Sequence, residues 1–166
     1  CITKNNNIAL AILTADCAPI FIFDNNYSFI CALHAGWKGC LNNIVKKAVD
    51  KINQISINTS KIIAVVGPCL SKENFEVDEN FKDSFISQNF EYEDFFFQGL
   101  KKNKHHFDMR KLLNFQLLKS SVHKVCNVMI DTYLDENLFF SHRKSFQSNT
   151  LPTGRMINII GFKNND

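Results

Sequence analysis

The sequence lacks several patterns that mark large classes of proteins. No apolar run approaches the roughly 20 residues that a membrane-spanning helix needs, so no membrane association is expected. The six cysteines form no Cys-x-x-Cys pair, and no signal peptide is visible, which favours a cytoplasmic protein with reduced thiols. The first residue is Cys1 rather than Met. We therefore expect that the chain begins inside a longer reading frame or was trimmed.

The charge pattern argues against a nucleic-acid-binding protein. The chain has 19 basic and 16 acidic residues, a net charge of +3, and only one Trp. Its lysines are scattered, with short clusters at 46–47 and 101–104. No basic stripe alternates with aromatic residues, so we expect no nucleic-acid partner and interpret the clusters as solvated surface.

The length and the apolar content predict a single domain over residues 1–166. A chain of 166 residues with 45% hydrophobic content can bury a core and a site within it. Apolar runs and turn residues predict strands at 8–13, 20–23, 27–33, 62–66, 124–130 and 155–160. Helical spacing predicts helices at 40–54, 78–90 and 109–121, with loops at 91–106 and most of 131–153. Because helices interleave with hairpins, we expect an α+β fold with mixed sheets rather than a doubly wound parallel sheet. We expect a monomer.

Two chemically active residues, Cys17 and His34, are predicted to meet at one end of a hairpin. Asp24-Asn25-Asn26 is turn chemistry, and the strands on either side of it fold back on each other. Gly36 and Gly39 follow His34 and suggest a turn where the backbone approaches another group closely and exposes N–H groups. The spacing alone leaves three interpretations open. The pair is a thiolate–imidazolium couple, two ligands of a metal, or two residues with structural roles.

Four motifs occur in order along nearly the whole chain: TADCAPI (14–20), HAGWKG (34–39), GPCLSKENFEV (67–77) and FFSHRK (139–144). Together they resemble successive motifs of the multicopper polyphenol oxidase, or laccase-domain, family. That family is now regarded as purine nucleoside phosphorylases with adenosine deaminase activity. The resemblance implies the family's α+β fold. It also implies purine nucleosides (adenosine, inosine, guanosine and methylthioadenosine) and phosphate as substrates.

The resemblance further implies a zinc site that contains Cys17 and His34. Zinc would activate a water molecule for attack at purine C6, and copper, the metal of the older family name, is the less expected cofactor. The family's first His ligand belongs to a Gln-Val-His motif that this sequence does not contain. The chain is thus expected to lack the family's N-terminal segment, and two protein ligands are fewer than the usual three of a catalytic zinc site.

Other candidate residues have structural alternatives of similar weight. Arg143 and Arg155 suit phosphate binding, or each forms a salt bridge at the surface. Asp16 orients a ligand or acts as an acid or base, or it is a turn-forming residue. Trp37 stacks on a purine base at the pocket wall, or it packs in the core. Gly36 is a further candidate for substrate binding, because its backbone can approach a ligand closely.

Two further hypotheses compete with the phosphorylase. A metal-free hydrolase would use Cys17 as nucleophile and His34 as base. An inactive remnant of the family would keep the core but lack the first metal ligand. A multicopper oxidase is the weakest fit, because one Cys and one His make a poor copper cluster. The sequence also departs from the family's usual Arg, Cys and Arg at Lys38, Asp131 and Lys144, which is compatible with weakened activity.

Overall fold

The computed structural model describes residues 1–55 and 61–163. The strands are β1 (Ile2–Thr3), β2 (Leu10–Thr14), β3 (Ala18–Asp24), β4 (Ile30–Ala35), β5 (Ile62–Val66), β6 (Glu76–Asp78), β7 (Phe96–Gln98), β8 (Lys104–Phe107), β9 (Lys124–Asn127) and β10 (Met156–Ile160). The α-helices are α1 (Trp37–Leu41), α2 (Ile44–Ile55), α3 (Glu79–Ile86), α4 (Met109–Lys119) and α5 (His142–Gln147). Short 3-10 helices cover Lys72–Asn74 and Phe90–Phe95.

The central sheet has five strands in the order β1-β4-β3-β5-β9. All its pairs are antiparallel except β5 with β9, which is parallel. The predicted α+β fold with mixed sheets is therefore confirmed. The β3–β4 hairpin is closed by Asp24, whose buried carboxylate accepts hydrogen bonds from the backbone N–H and the hydroxyl of Ser28 at 2.7 and 2.8 Å.

One face of this sheet is covered by helices α2 and α4. Alternate residues of β3, Ala18, Ile20 and Ile22, are fully buried on that side, as the two-residue period of a strand requires. The helices contribute fully or almost fully buried apolar residues to the same core: Val45, Val49 and Ile52 from α2, and Leu112, Leu113 and Leu117 from α4. This core fixes the end of the hairpin at which Cys17 and His34 lie.

A second layer consists of the three-stranded sheet β6-β8-β7 and helix α3. Phe81 and Phe85, four residues apart on α3, are stacked with their ring centroids 5.0 Å apart. Phe85 also lies 5.0 Å from the ring of Phe107 on β8. Aromatic packing thus joins α3 to its sheet.

The remaining strands, β2 and β10, form an antiparallel two-stranded sheet, called the ribbon below. The amide of Asn158 donates to the Thr14 hydroxyl at 3.0 Å and ties the C-terminal strand to the end of β2. The chain then passes from Thr14 through the short connection 15–17 into β3. The ribbon therefore holds the segment that carries Cys17.

Two sequence-based assignments were wrong, and a third, the segment predicted to be mostly loop, missed a short helix. The helix predicted at 40–54 is divided at Asn43, whose φ of 48° is left-handed, so α1 and α2 are separate. The predicted loop at 91–106 contains β7, part of β8 and most of a 3-10 helix. The predicted loop at 131–153 contains α5. Residues 164–166, the end of the predicted single domain, lie outside the described residues. Within residues 1–55 and 61–163, every helix is too short or too polar to span a bilayer.

Candidate active site

Cys17 and His34 lie beside each other at one end of the β3–β4 hairpin. The register pairs Ala18 with Ala35 and Pro19 with His34, so the residue before β3 lies level with the end of β4. A Cβ atom placed on Gly36 would lie 2.8 Å from the sulfur of Cys17 and 3.9 Å from Nε2 of His34. The thiol and the imidazole therefore face one small space, and we refer to these two residues as the Cys–His pair.

The Cys17 thiol is less acidic than an ordinary cysteine. Burial raises its pKa, the neighbouring Asp16 carboxylate raises it further, and the charge of Arg155 opposes them. A thiol in this environment holds its proton at neutral pH unless a cation binds it. The surroundings of Cys17 therefore favour the neutral thiol over a free thiolate.

A pocket of about 500 Å³ opens beside Cys17. Four separate stretches of the chain contribute its walls: Ala15, Asp16 and Cys17; Leu70, Phe75 and Glu76; Lys104 and Met109; and His142, Arg143, Phe146 and Gln147, with Trp37 completing the lining. Its polar walls carry both cationic and anionic side chains, and its apolar walls include the aromatic rings of Trp37, Phe75 and Phe146. Such a pocket suits a ligand with a flat ring and an anionic group.

Arg143 is fixed at the start of α5. Its guanidinium donates to the Glu76 carbonyl at 2.8 Å and lies 5.3 Å from the ring of Phe75. The carbonyl bond uses one of the five N–H donors of the side chain. Arg143 is thus held in the pocket wall by the Glu76 carbonyl and the Phe75 ring.

The other candidate residues have different surroundings. Trp37 is 41% exposed, lines the pocket, and packs on Phe81 with the ring centroids 5.4 Å apart, so its ring is a wall and not a core residue. Arg155 is exposed and does not line the pocket, and its guanidinium donates to the carbonyls of Thr153 and Gly154 at 2.8 Å. Its charge nevertheless acts on the Cys17 thiol.

Asp16 is buried between these groups. Its backbone is left-handed, with φ of 78°, and its carboxylate accepts hydrogen bonds from Thr132, Ser141 and Arg143. The predicted turn role and the predicted orienting role are both compatible with this geometry.

Sequence reasoning missed Lys104, Met109 and Phe146, all of which line the pocket. Lys104 was assigned to a solvated cluster, yet its side chain pairs with Asp78 at the pocket edge. No local signal identified it, because its strand was taken for a loop.

The described residues supply only part of a catalytic zinc site. Thiolate sulfur and imidazole nitrogen are donors that zinc prefers, so the Cys–His pair fits the metal by chemistry. Across residues 1–55 and 61–163, however, no group of three or more His, Cys, Asp or Glu side chains is arranged to hold a metal ion. His105 and His106 lie on β8, where their ring nitrogens contact the Glu79 carboxylate and the Lys72 carbonyl. The pair thus lacks a third protein ligand within the described chain.

The fold and the site together define an α+β protein with a Cys–His pair beside a mixed-charge pocket. The sequence profile of the family described as multi-copper polyphenol oxidoreductase laccase matches residues 1–163, so the chain belongs to that family. The resemblance found from the four motifs is confirmed.

Relatives of this chain carry enzyme names that differ from the family description. A protein of Rickettsia conorii named purine nucleoside phosphorylase is 33% identical over 145 residues, which cover 87% of this chain and 60% of that protein. A protein of an unknown prokaryote named adenosine deaminase is 28% identical over 109 residues, covering 66% of this chain and 42% of its own length.

The fold is shared with a solved structure of the Bacillus licheniformis hypothetical protein YfiH. That structure has a TM-score of 0.82 and 28% identity, and the match covers 98% of this chain and 60% of the other. The chain therefore spans about 60% of the length of both the Rickettsia and the Bacillus proteins.

Proposed function

We propose that the chain acts as a purine nucleoside phosphorylase on adenosine, inosine, guanosine or methylthioadenosine with phosphate. The observation that carries the proposal is the pocket of about 500 Å³ in which Cys17, Trp37 and Arg143 line one space. Its aromatic walls suit a purine, and Arg143 suits the phosphate. The names of the Rickettsia and other relatives support the same assignment.

In phosphorolysis, a phosphate oxygen forms a bond to C1′ of the ribose while the bond from C1′ to the purine nitrogen breaks. The released base keeps the bonding electrons and takes a proton from solvent. We assign Arg143 and Lys104 to hold the phosphate, because both cations line the pocket and offset its charge. Phe75 and Trp37 would position the purine and exclude water from one side of the reaction.

Zinc-dependent adenosine deamination is a further activity that we propose for the complete site. Bound to Cys17 and His34, zinc would supply an activated water molecule. Catalytic zinc sites use three protein ligands and keep one open position, whereas the described residues offer two. A third ligand is therefore required before deamination can be assigned to this pair.

The test is an assay of inosine cleavage with and without phosphate, following hypoxanthine and ribose 1-phosphate. We expect Arg143→Lys to raise the phosphate KM by about tenfold or more, because Lys loses the planar fork. The matched variant Arg155→Lys should change it by less than about threefold, since Arg155 does not line the pocket. Cleavage that is independent of phosphate, or equal losses in the two variants, would contradict the proposal.

A metal-free hydrolase is the second candidate, and the shared space of the Cys–His pair beside Gly36 favours it. The raised pKa of the Cys17 thiol counts against it, since the thiolate is the nucleophile. Loss of activity on treatment with iodoacetamide, together with full activity in a zinc chelator, would support the hydrolase. If the chain is an inactive remnant of the family, we expect neither nucleoside turnover nor zinc binding.

A further inference from the structure

Asp16 connects the segment that carries Cys17 to the helix that carries Arg143. One carboxylate oxygen accepts from the Thr132 hydroxyl at 2.7 Å. The other accepts from the Ser141 hydroxyl at 3.1 Å and from the backbone N–H of Arg143 at 2.6 Å. Asp16 is 8% exposed, so these protein groups take the place of water around its charge.

The bonds from Asp16 extend into the first turn of α5. Ser141 is the N-cap of that helix, and its hydroxyl oxygen accepts from the backbone N–H of Lys144 at 3.2 Å while its proton points to Asp16. The backbone carbonyl of Asp16 also accepts from the N–H of Leu70 at 3.0 Å, on another wall of the pocket. Asp16 thus fixes two other walls of the pocket, at Leu70 and at α5, relative to the Cys–His pair.

We infer that Asp16 is a positioning residue that sets Arg143 against Cys17 for phosphate binding, and that it is not the acid or base of the reaction. The inference rests on the proposed phosphorylase. Both carboxylate oxygens are already engaged by protein donors, which leaves the carboxylate poorly placed to exchange a proton with a substrate.

Two substitutions at this position separate the two roles. Asn has the same shape and tolerates the left-handed backbone of residue 16. Its oxygen can accept from Ser141 and Arg143, and its amide can donate to the Thr132 hydroxyl. Asn cannot act as an acid or base. Ala loses all three hydrogen bonds and also adopts this backbone unfavourably.

The experiment measures phosphate KM and kcat for inosine cleavage in Asp16→Ala and Asp16→Asn. We expect the Ala variant to raise the phosphate KM by about tenfold or more and the Asn variant by less than about threefold. Trp37, the only Trp of the chain, lies in the pocket wall, so its fluorescence can report inorganic phosphate binding without turnover. A loss of kcat in the Asn variant as large as in the Ala variant would overturn the inference.

Asp24 provides a matched control for stability. It is a buried Asp at the end of β3 farther from Asp16, and its carboxylate accepts two hydrogen bonds from Ser28. Asp24→Ala should lower the melting temperature while leaving the phosphate KM within about twofold of the unmodified chain. An equal rise in the phosphate KM of Asp24→Ala would show that the effect of Asp16→Ala reflects general destabilisation and not positioning.

A double-mutant cycle keeps the inference testable even if the chain cleaves no nucleoside. Asp16→Ala and Ser141→Ala, which remove the two sides of the side-chain hydrogen bond between Asp16 and the N-cap of α5, are combined, and the unfolding equilibrium constants of the four proteins are compared in urea. If Asp16 positions Arg143, the two effects deviate from multiplicativity by about threefold or more. A coupled cycle without phosphorolysis would contradict the proposed function alone, whereas an uncoupled cycle would overturn the positioning role.

Discussion

Gly36 determines how closely the thiol of Cys17 can approach the turn after β4. Its φ of −87° and ψ of −179° suit any residue, so a substitution tests space alone. In Gly36→Ala the new Cβ would lie 2.8 Å from the sulfur, which forces the thiol away from His34. We expect zinc affinity, measured by competition with a chromophoric chelator, to fall by about tenfold or more.

Gly161 is the matched control for this substitution. A Cβ at Gly161 would meet the side chain of Ala9 at 3.4 Å, an ordinary van der Waals distance. Gly161→Ala should therefore leave zinc affinity unchanged. Equal affinities in the two variants would show that the sulfur is not held against Gly36.

Asp131 is expected to give the chain an acid-dependent contribution to stability. Burial alone would raise its pKa, but hydrogen bonds from Ser71, Tyr133 and Asn74 outweigh burial and lower the pKa below its usual range. A lowered pKa in the folded state means that the stabilisation is present above the unfolded pKa of about 4 and is lost as the pH falls through the folded value.

The matched variant is Asp131→Asn, which removes the charge at constant shape. Urea unfolding at pH 6 should show the variant to be less stable than the unmodified chain. The difference should narrow steadily as the pH falls below about 4. A difference that is constant over this range would contradict the assignment.

At the scale of elements, α3 depends on its aromatic contacts with the three-stranded sheet. Phe85 is fully buried, with its ring centroid 5.0 Å from Phe107 and 5.6 Å from Phe96. Phe85→Ala should lower the free energy of unfolding by about 3–5 kcal/mol, because it leaves a cavity between helix and sheet. Phe90, four residues beyond the end of α3, is 80% exposed, and Phe90→Ala should cost less than about 0.5 kcal/mol in the same urea experiment.

Elements with strong local signals could be predicted from the sequence. The β3–β4 hairpin follows from its turn at Asp24, and α4 follows from Asp108, whose carboxylate caps the helix by accepting from the Lys111 N–H at 2.9 Å. The break between α1 and α2 was missed although its residues are visible. Asn42 donates its amide to the Lys38 carbonyl, and Asn43 accepts from the Lys46 N–H. These side chains compete with the helical backbone, which apolar periodicity alone does not reveal.

Strands β7 and β8 could not be predicted from periodicity, because they are only three and four residues long. They form a hairpin with each other, and β8 also pairs with β6, which is distant in sequence. The placement of Lys104 in the pocket depends on this pairing, so it was missed with the strand. Short strands that pair across distant sequence positions carry little periodicity of their own.

At the scale of the whole molecule, the candidate site is built from segments that are far apart in sequence. The motifs around Cys17, His34 and Arg143 predicted candidate residues, but the common pocket of Cys17 and Arg143, with His34 beside Cys17, follows only from the sheet and the ribbon. A third metal ligand also depends on the whole molecule, because the residues near the Cys–His pair do not supply one within the described ranges. The curated and solved relatives extend beyond the matched region, and the described residues hold only the Cys–His pair.

The outer face of the ribbon leads to a prediction for the surface of the whole chain. Leu13 and Ile157 are paired across the two strands, and Ile159 lies two residues further on the same face. They are 55%, 62% and 57% exposed, so three large apolar side chains form one contiguous surface. Surfaces of this kind bind apolar dyes, whereas scattered apolar residues do not. Replacing all three with Thr, which keeps strand propensity, should lower the fluorescence of bound ANS severalfold.

A scattered triple variant separates contiguity from apolar content. Phe90, Leu100 and Leu118 are also well exposed, and they lie on different segments. Their replacement with Thr removes the same number of apolar side chains but leaves the contiguous surface of the ribbon intact, so the fluorescence of bound ANS should change little. Both triple variants should unfold in urea within about 1–2 kcal/mol of the unmodified chain, because exposed substitutions cost little each. Equal dye binding in the two variants would mean that the ribbon presents no continuous apolar face in solution.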